Sequence, residues 1–181
     1  MEDLWEKTLY HLSEGNFTLL QEHLGGADGF HRHIVAWHSA GNFDTEPEAL
    51  AEALSCACML GRVETTRYLL DAGVDVYAGM KTWLAGPHYA VSGGHLEILN
   101  MLLERDIPLE VKNLYGGTVL GQALWSAVNE HKDTHADIIA ALIRAGASIE
   151  PGTLKWWNDQ PVPSPATRSK VADALRNANI S

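Results

Sequence analysis

Ala90-Val91-Ser92-Gly93-Gly94-His95-Leu96-Glu97 stands 33 residues after Ala57-Cys58-Met59-Leu60-Gly61-Arg62-Val63-Glu64, and the two stretches share their opening alanine, a central glycine and a closing glutamate. Further on, Leu69-Leu70 falls on Leu102-Leu103, and Gly73 falls on Asp106. A third copy opens with Thr118-Val119-Leu120-Gly121-Gln122-Ala123 and closes with Leu142-Ile143-Arg144-Ala145-Gly146-Ala147. Its tail lies 40 residues beyond its counterpart at Leu102, so this copy carries about seven extra residues. A period near 33 makes the chain a series of like units that bury their apolar faces on one another. Such series present surfaces and seldom surround a single reaction centre.

The residues at this spacing resemble the ankyrin repeat, whose pattern runs T-P-L-H-x-A-A-x-x-G-H-x-E-[IV]-V-x-x-L-L-x-x-G-A-[DN]. The best copy, Gly93-Gly94-His95-Leu96-Glu97-Ile98-Leu99-Asn100-Met101-Leu102-Leu103, follows it closely through the second helix. Its first helix, Ala85-Gly86-Pro87-His88-Tyr89-Ala90, keeps the histidine and alanine but not the Thr-Pro-Leu order. The third copy keeps Thr118, Leu120 and Ala123 and has Gly121 in place of the histidine, while the first keeps Ala57, Gly61, Leu69, Leu70, Ala72, Gly73 and Asp75. The resemblance covers roughly residues 47–150. It implies an all-α fold, an ankyrin-repeat solenoid of stacked helix-turn-helix units with finger loops and helical caps at both ends. The expected division is one domain: a cap and connector (1–46), repeats at 47–79, 80–112 and 113–152, and a final finger with a capping helix (153–181).

The chain of 181 residues is long enough for a continuous core. Its 13 basic and 23 acidic side chains give a formal charge of −10, which opposes nucleic acid and anionic lipid as partners and permits a basic protein. No apolar run reaches the roughly 18 residues of a membrane span, and the acidic, amphipathic start Met1-Glu2-Asp3-Leu4-Trp5-Glu6-Lys7 is unlike a secretory signal. Cys56 and Cys58, two apart on a helix, point in different directions, so no disulfide joins them and a reduced, cytoplasmic protein is expected.

Apolar spacing predicts helices over 3–13, over Phe17 to Leu24 with Asn16 as N-cap, and over Asp28 to His38. In the three repeats the first helices are expected to end at Met59-Leu60, Ser92-Gly93 and Trp125-Ser126. The second run over Arg62–Ala72, His95–Arg105 and Ala136–Ala145. Gly73, Asp106 and Gly146 suit left-handed C-caps. Fingers are expected at about Val76–Trp83, Leu109–Gly117 and Ile149–Trp157, then a non-helical Pro161-Val162-Pro163-Ser164-Pro165 and a helix over 166–178 with Val171, Ala174 and Leu175 inward.

Few residues suggest chemistry. His88 and His95 take positions that are structural in the resembled family. His31, His33 and His38 fit a surface helix better than a metal site, whose pairs come three or four apart with a further ligand. His131 and His135 are four apart, with Asp137 near, inside the extra segment at 128–137. That segment is the basis of an alternative as an enzyme or metal-binding protein, although Asp137 and His135 take the places of the family's Glu and Gly-His histidine. The chain has no G-x-S-x-G elbow and no phosphate-binding lysine loop. The expectation is a non-catalytic protein without cofactor or metal.

In the resembled family partners bind along the fingertips and the exposed side of the first helices. Carried over by position, these are Lys81, Thr82 and Trp83, then Leu114 and Tyr115, with Trp125 and Ser126 on a first helix and Lys155, Trp156 and Trp157 on the last finger. Trp83 and Trp156 stand where the family carries a turn glycine. Aromatic rings supply buried area at little entropic cost. The resemblance therefore implies a protein–protein interaction module with an unknown protein partner, as a monomer or weak homodimer. Self-association through the same tryptophans is the other alternative.

Overall fold

The computed structural model describes residues 3–79, 81–162 and 164–178, and among these the secondary structure is eleven helices with no strand. Met80, in the first finger, and Pro163, in the proline segment, lie outside the described residues. The chain forms two compact units, 1–89 and 90–181.

The first unit begins with α1 (Leu4–Ser13), capped by the Asp3 carboxylate, which accepts the N–H of Trp5 at 3.2 Å. Gly15, at φ 68°, turns the chain into α2 (Phe17–His23). Asn16 holds the N-cap position there, but its side chain makes no capping hydrogen bond. The segment before Pro47 is ordered helix and turn: α3 (Gly26–Ser39) runs into a turn whose Phe43 is buried against Trp5, ring centroids 4.8 Å apart, with Trp37 closing the cluster at 5.2 Å. α3 is bound to α5 (Val63–Asp71) by two histidines. His31 Nδ1 pairs with Thr65 Oγ1 at 3.1 Å, and His38 Nδ1 with the Tyr68 hydroxyl at 2.9 Å.

Pro47 opens α4 (Pro47–Met59), where every residue from Ala51 to Cys58 is buried. A helix buried all round needs small side chains for close neighbours and a partner for each polar group. The alanines and cysteines meet the first need. Ser55 and Glu52 meet the second by bonding to the finger that follows. The Ser55 hydroxyl donates to the Gly79 carbonyl at 3.2 Å. Gly79 has to be glycine, since a Cβ there would lie 2.7 Å from the backbone of Ala51 and Glu52.

In the second unit one core collects Val91, Leu99, Val119, Leu120, Leu124, Ile138, Ile139, Leu142, Trp157, Val171 and Leu175. Besides Val91, it is built by α7 (Leu96–Leu103), α8 (Val119–Asn129), α9 (His135–Arg144), α10 (Thr153–Asp159) and α11 (Pro165–Ala178). α6 (Gly86–Ser92) carries the chain across the boundary at residue 89. Two expectations are corrected here. α8 does not end at Trp125-Ser126 but continues to Asn129, because Ser126 and Ala127 are buried and keep the helix on the core. Residues 153–159 are helix α10 and not an extended finger, because Leu154 and Trp157, three apart, seat one face of a short helix on the core. The left-handed C-caps are in place at Gly73 (φ 79°), Asp106 (φ 51°) and Gly146 (φ 92°). No helix among the described residues is long and apolar enough to cross a membrane.

Candidate protein-binding surface

The finger of the first unit is shaped by Glu52. Its carboxylate accepts the backbone N–H of Lys81 at 2.8 Å and the hydroxyl of Thr82 at 3.3 Å, while the Lys81 ammonium reaches Glu48 at 2.6 Å. Burial pushes the Glu52 carboxyl above its usual value, against these donors, which favour the charged form. The Tyr89 hydroxyl donates to the Thr82 carbonyl at 3.0 Å, and its ring packs edge-on against Phe17. Thr82 is thus a support with its hydroxyl turned inward, and Lys81 and Trp83 are the exposed residues. Trp83 has φ 75°, a backbone state that disfavours any residue with a Cβ. It nevertheless leaves 53% of its surface in solvent.

In the second unit the finger turn is held by Asn113. Its side-chain oxygen accepts the N–H of Tyr115 at 3.0 Å and of Gly117 at 2.9 Å, and its amide donates to Gln122 Oε1 at 3.2 Å. With Asn113 buried beneath them, Leu114 and Tyr115 are pushed outward, Tyr115 to 75% exposure. The relay continues along α8. Gln122 Nε2 donates to Ser126 Oγ, Ser126 Oγ to Ser92 Oγ, and Ser92 Oγ to Glu130, each at 3.2 Å. Trp125, 48% exposed, stands on the outer side of the same helix.

Two of the residues expected to touch a partner do not lie on the surface. Ser126 is fully buried, held between Gln122 and Ser92. Trp157 is fully buried as well, its indole N–H donating to the Arg168 carbonyl at 3.1 Å, so it joins α10 to α11 as part of the core. Trp156, its neighbour on α10, faces outward and is exposed, as is Lys155.

The histidine segment is a packing device. His135 is fully buried, with Nδ1 accepting the N–H of Lys132 at 3.1 Å and Nε2–H donating to the carbonyls of Val91 at 3.1 Å and Ser92 at 3.4 Å. Both ring nitrogens are therefore engaged. Burial holds this ring below the usual histidine value, the two carbonyls oppose that effect, and His131 and Lys132 reinforce it. His131 Nε2 pairs with Thr167 Oγ1 at 3.0 Å on α11, and the Thr134 hydroxyl donates to the Gly94 carbonyl at 2.7 Å. No group of three or more metal-ligating side chains occurs among the described residues. Cys56 and Cys58 are free thiols, both fully buried. Burial pushes Cys56 well up and takes Cys58 up to about 12, with Cys56 also raised by its neighbour Cys58.

A family model for ankyrin repeats (3 copies) matches residues 15–113, more than half of the sequence. The chain belongs to the ankyrin-repeat family. The ankyrin match takes in residues 15–46, which sequence reading treats as cap and connector. It ends short of α8 and α9, the helices of the long third copy. No curated protein matches the chain. Ankyrin repeats are in general protein–protein interaction modules and typically not catalytic, and the fold class is the all-α one of that family.

Proposed function

We propose that this chain is a non-catalytic ankyrin module of the cytoplasm that binds a protein partner. Its contact residues are Lys81 and Trp83 with Thr82 beneath them in the first unit, and Leu114, Tyr115, Trp125 and Trp156 in the second. One observation carries the reading: large apolar side chains stand exposed on turns and helix faces that buried polar groups hold in place. Tyr115 sits on a turn fixed by Asn113, and Trp83 on a loop fixed by Glu52. A rigid aromatic anchor loses little entropy on binding. The acidic charge is uneven as well. Residues 1–89 carry 13 acidic and 5 basic side chains, net −8, against 10 and 8, net −2, in residues 90–181. This favours a partner with a basic face for the first unit.

The segment at 128–137 commits its histidines to carbonyl, amide and hydroxyl groups of its own unit, which supports the binding reading over the enzymatic alternative. The test is capture of partners from lysate of the source cells by wild type and by a Trp83→Ala/Tyr115→Ala/Trp125→Ala variant of equal stability. Proteins held by wild type and lost by the variant support the proposal, and an identical set for both rejects these residues. A second copy as the occupant would show as mass rising with concentration in light scattering.

A further inference from the structure

α1 and α2 meet across two histidines. His11, in the last turn of α1, is only 8% exposed, and its Nε2 lies 2.9 Å from Nδ1 of His23, the last residue of α2. The other nitrogen of His11, Nδ1, is enclosed and has no hydrogen-bond partner among the described residues. The pair borders a cavity of 430 Å³ whose other lining residues are Glu6, Lys7 and Tyr10.

Counting protons on the four ring nitrogens decides how the pair behaves. A hydrogen bond between the rings needs one shared hydrogen. When both rings are neutral, one hydrogen remains, and it can sit on His23 Nε2. His11 Nδ1 then keeps only a lone pair, which costs less to bury than an unmet N–H. When the pair takes up one proton and keeps the bond, every nitrogen is protonated except the accepting one. That places an N–H on His11 Nδ1, buried with no acceptor.

We propose that His11 and His23 form an acid-released clasp, which fastens α1 to α2 while both rings are neutral and opens when the pair takes up a proton. Burial, then His23, then Lys7 hold His11 below the ordinary histidine value. Glu6 is the carboxylate in the cavity lining. From α4, packed on α1, Glu48 and Glu52 with Glu46 and Lys81 line a different cavity that Tyr10 also borders. From α3, packed on α2, Asp28 and His31 face the cavity shared with α5. Because the folded value is depressed, the clasp's contribution is complete above about pH 6.5 and is lost as pH falls below it.

The test is amide exchange by NMR on the full chain at pH 7.5 and pH 5.5, followed at Asn16, whose N–H donates to the His11 carbonyl, and at Leu24. Protection factors there are expected to fall by up to about tenfold per pH unit in the window below 6.5, one proton being linked to opening. In His11→Gln, whose amide donates to or accepts from His23 without titrating, the loss should vanish. Should that variant not fold, the imidazole nitrogen signals of wild type decide: hydrogen on His11 Nε2 at pH 7.5 supports the clasp, and hydrogen on Nδ1 overturns it. Equal protection at both pH values, or an undiminished acid response in His11→Gln, overturns it too. So does equimolar zinc raising protection at pH 7.5, which would assign the pair to a metal.

Discussion

Glu52 accepts the backbone N–H of Lys81 at 2.8 Å from within the buried run Ala51 to Cys58, so its carboxylate, with Glu48 and Ser55, joins α4 to the loop that carries Trp83. Burial works against the charged form of Glu52, which the Lys81 and Thr82 donors favour. A carboxyl raised in the folded state favours folding most when protonated, below its ordinary value of 4.5, and that advantage is lost as pH rises through the folded value. Glu52→Gln keeps an acceptor for Lys81 and should match or exceed wild type at pH 7 in urea unfolding. Glu52→Ala leaves Lys81 and Thr82 unmet and should lose about 1–3 kcal/mol.

Trp83 offers a second test, because its backbone conformation and its ring can be separated. Trp83→Ala and Trp83→Gly both remove the indole, and only glycine relaxes the left-handed backbone. The glycine variant is expected to be the more stable of the two by about 1 kcal/mol, measured by chemical unfolding. Equal stabilities would mean that the loop relaxes without cost.

The buried thiols make a prediction about reactivity. Cys56 and Cys58 are enclosed and raised, Cys58 to about 12, so the thiolate that attacks a disulfide reagent is scarce at pH 8. The folded protein should leave an aromatic disulfide reagent uncleaved over minutes, and two thiols should react at once in denaturant. Rapid labelling of the native chain would show that α4 opens readily.

His135→Ala removes a ring whose two nitrogens bond to Lys132, Val91 and Ser92. The expected loss is about 2–3 kcal/mol, with wild type itself weakening as pH falls below 6.5, since burial depresses this ring in the folded state. Zinc should leave the melting temperature of wild type unmoved.

Much of this was legible in the sequence, and the limits have physical causes. The leucine pairs at 69–70 and 102–103 and the tail at 142 located the helix pairs, because each unit repeats the same burial. Gly73 and Gly146, with Asp106 between them, marked helix ends through their backbone freedom. α10 was hidden because seven residues carry too little periodicity to separate a helix from a finger, and Pro151-Gly152 before it reads as a loop. Glu52 was hidden by the opposite cause: in a helix buried on every side, apolar spacing carries no facing, and the acid looks like a surface residue. The pairing of His11 with His23 joins two helices outside the periodic pattern. For the candidate surface, sequence located the aromatic residues but not their facing. Trp156 and Trp157 are neighbours, and it is Trp157 that lies in the core beside Leu154, its indole bonded to Arg168.

The exposed finger residues of the second unit are the central part of the proposed surface that holds a partner. A photo-crosslinking amino acid at Tyr115, on the turn fixed by Asn113, tests this directly against the same probe at Asn100, exposed on α7. Irradiation in the source cells should give a discrete adduct with another protein from position 115 and none from position 100. Adducts of equal yield at both positions, or none at 115, would contradict it.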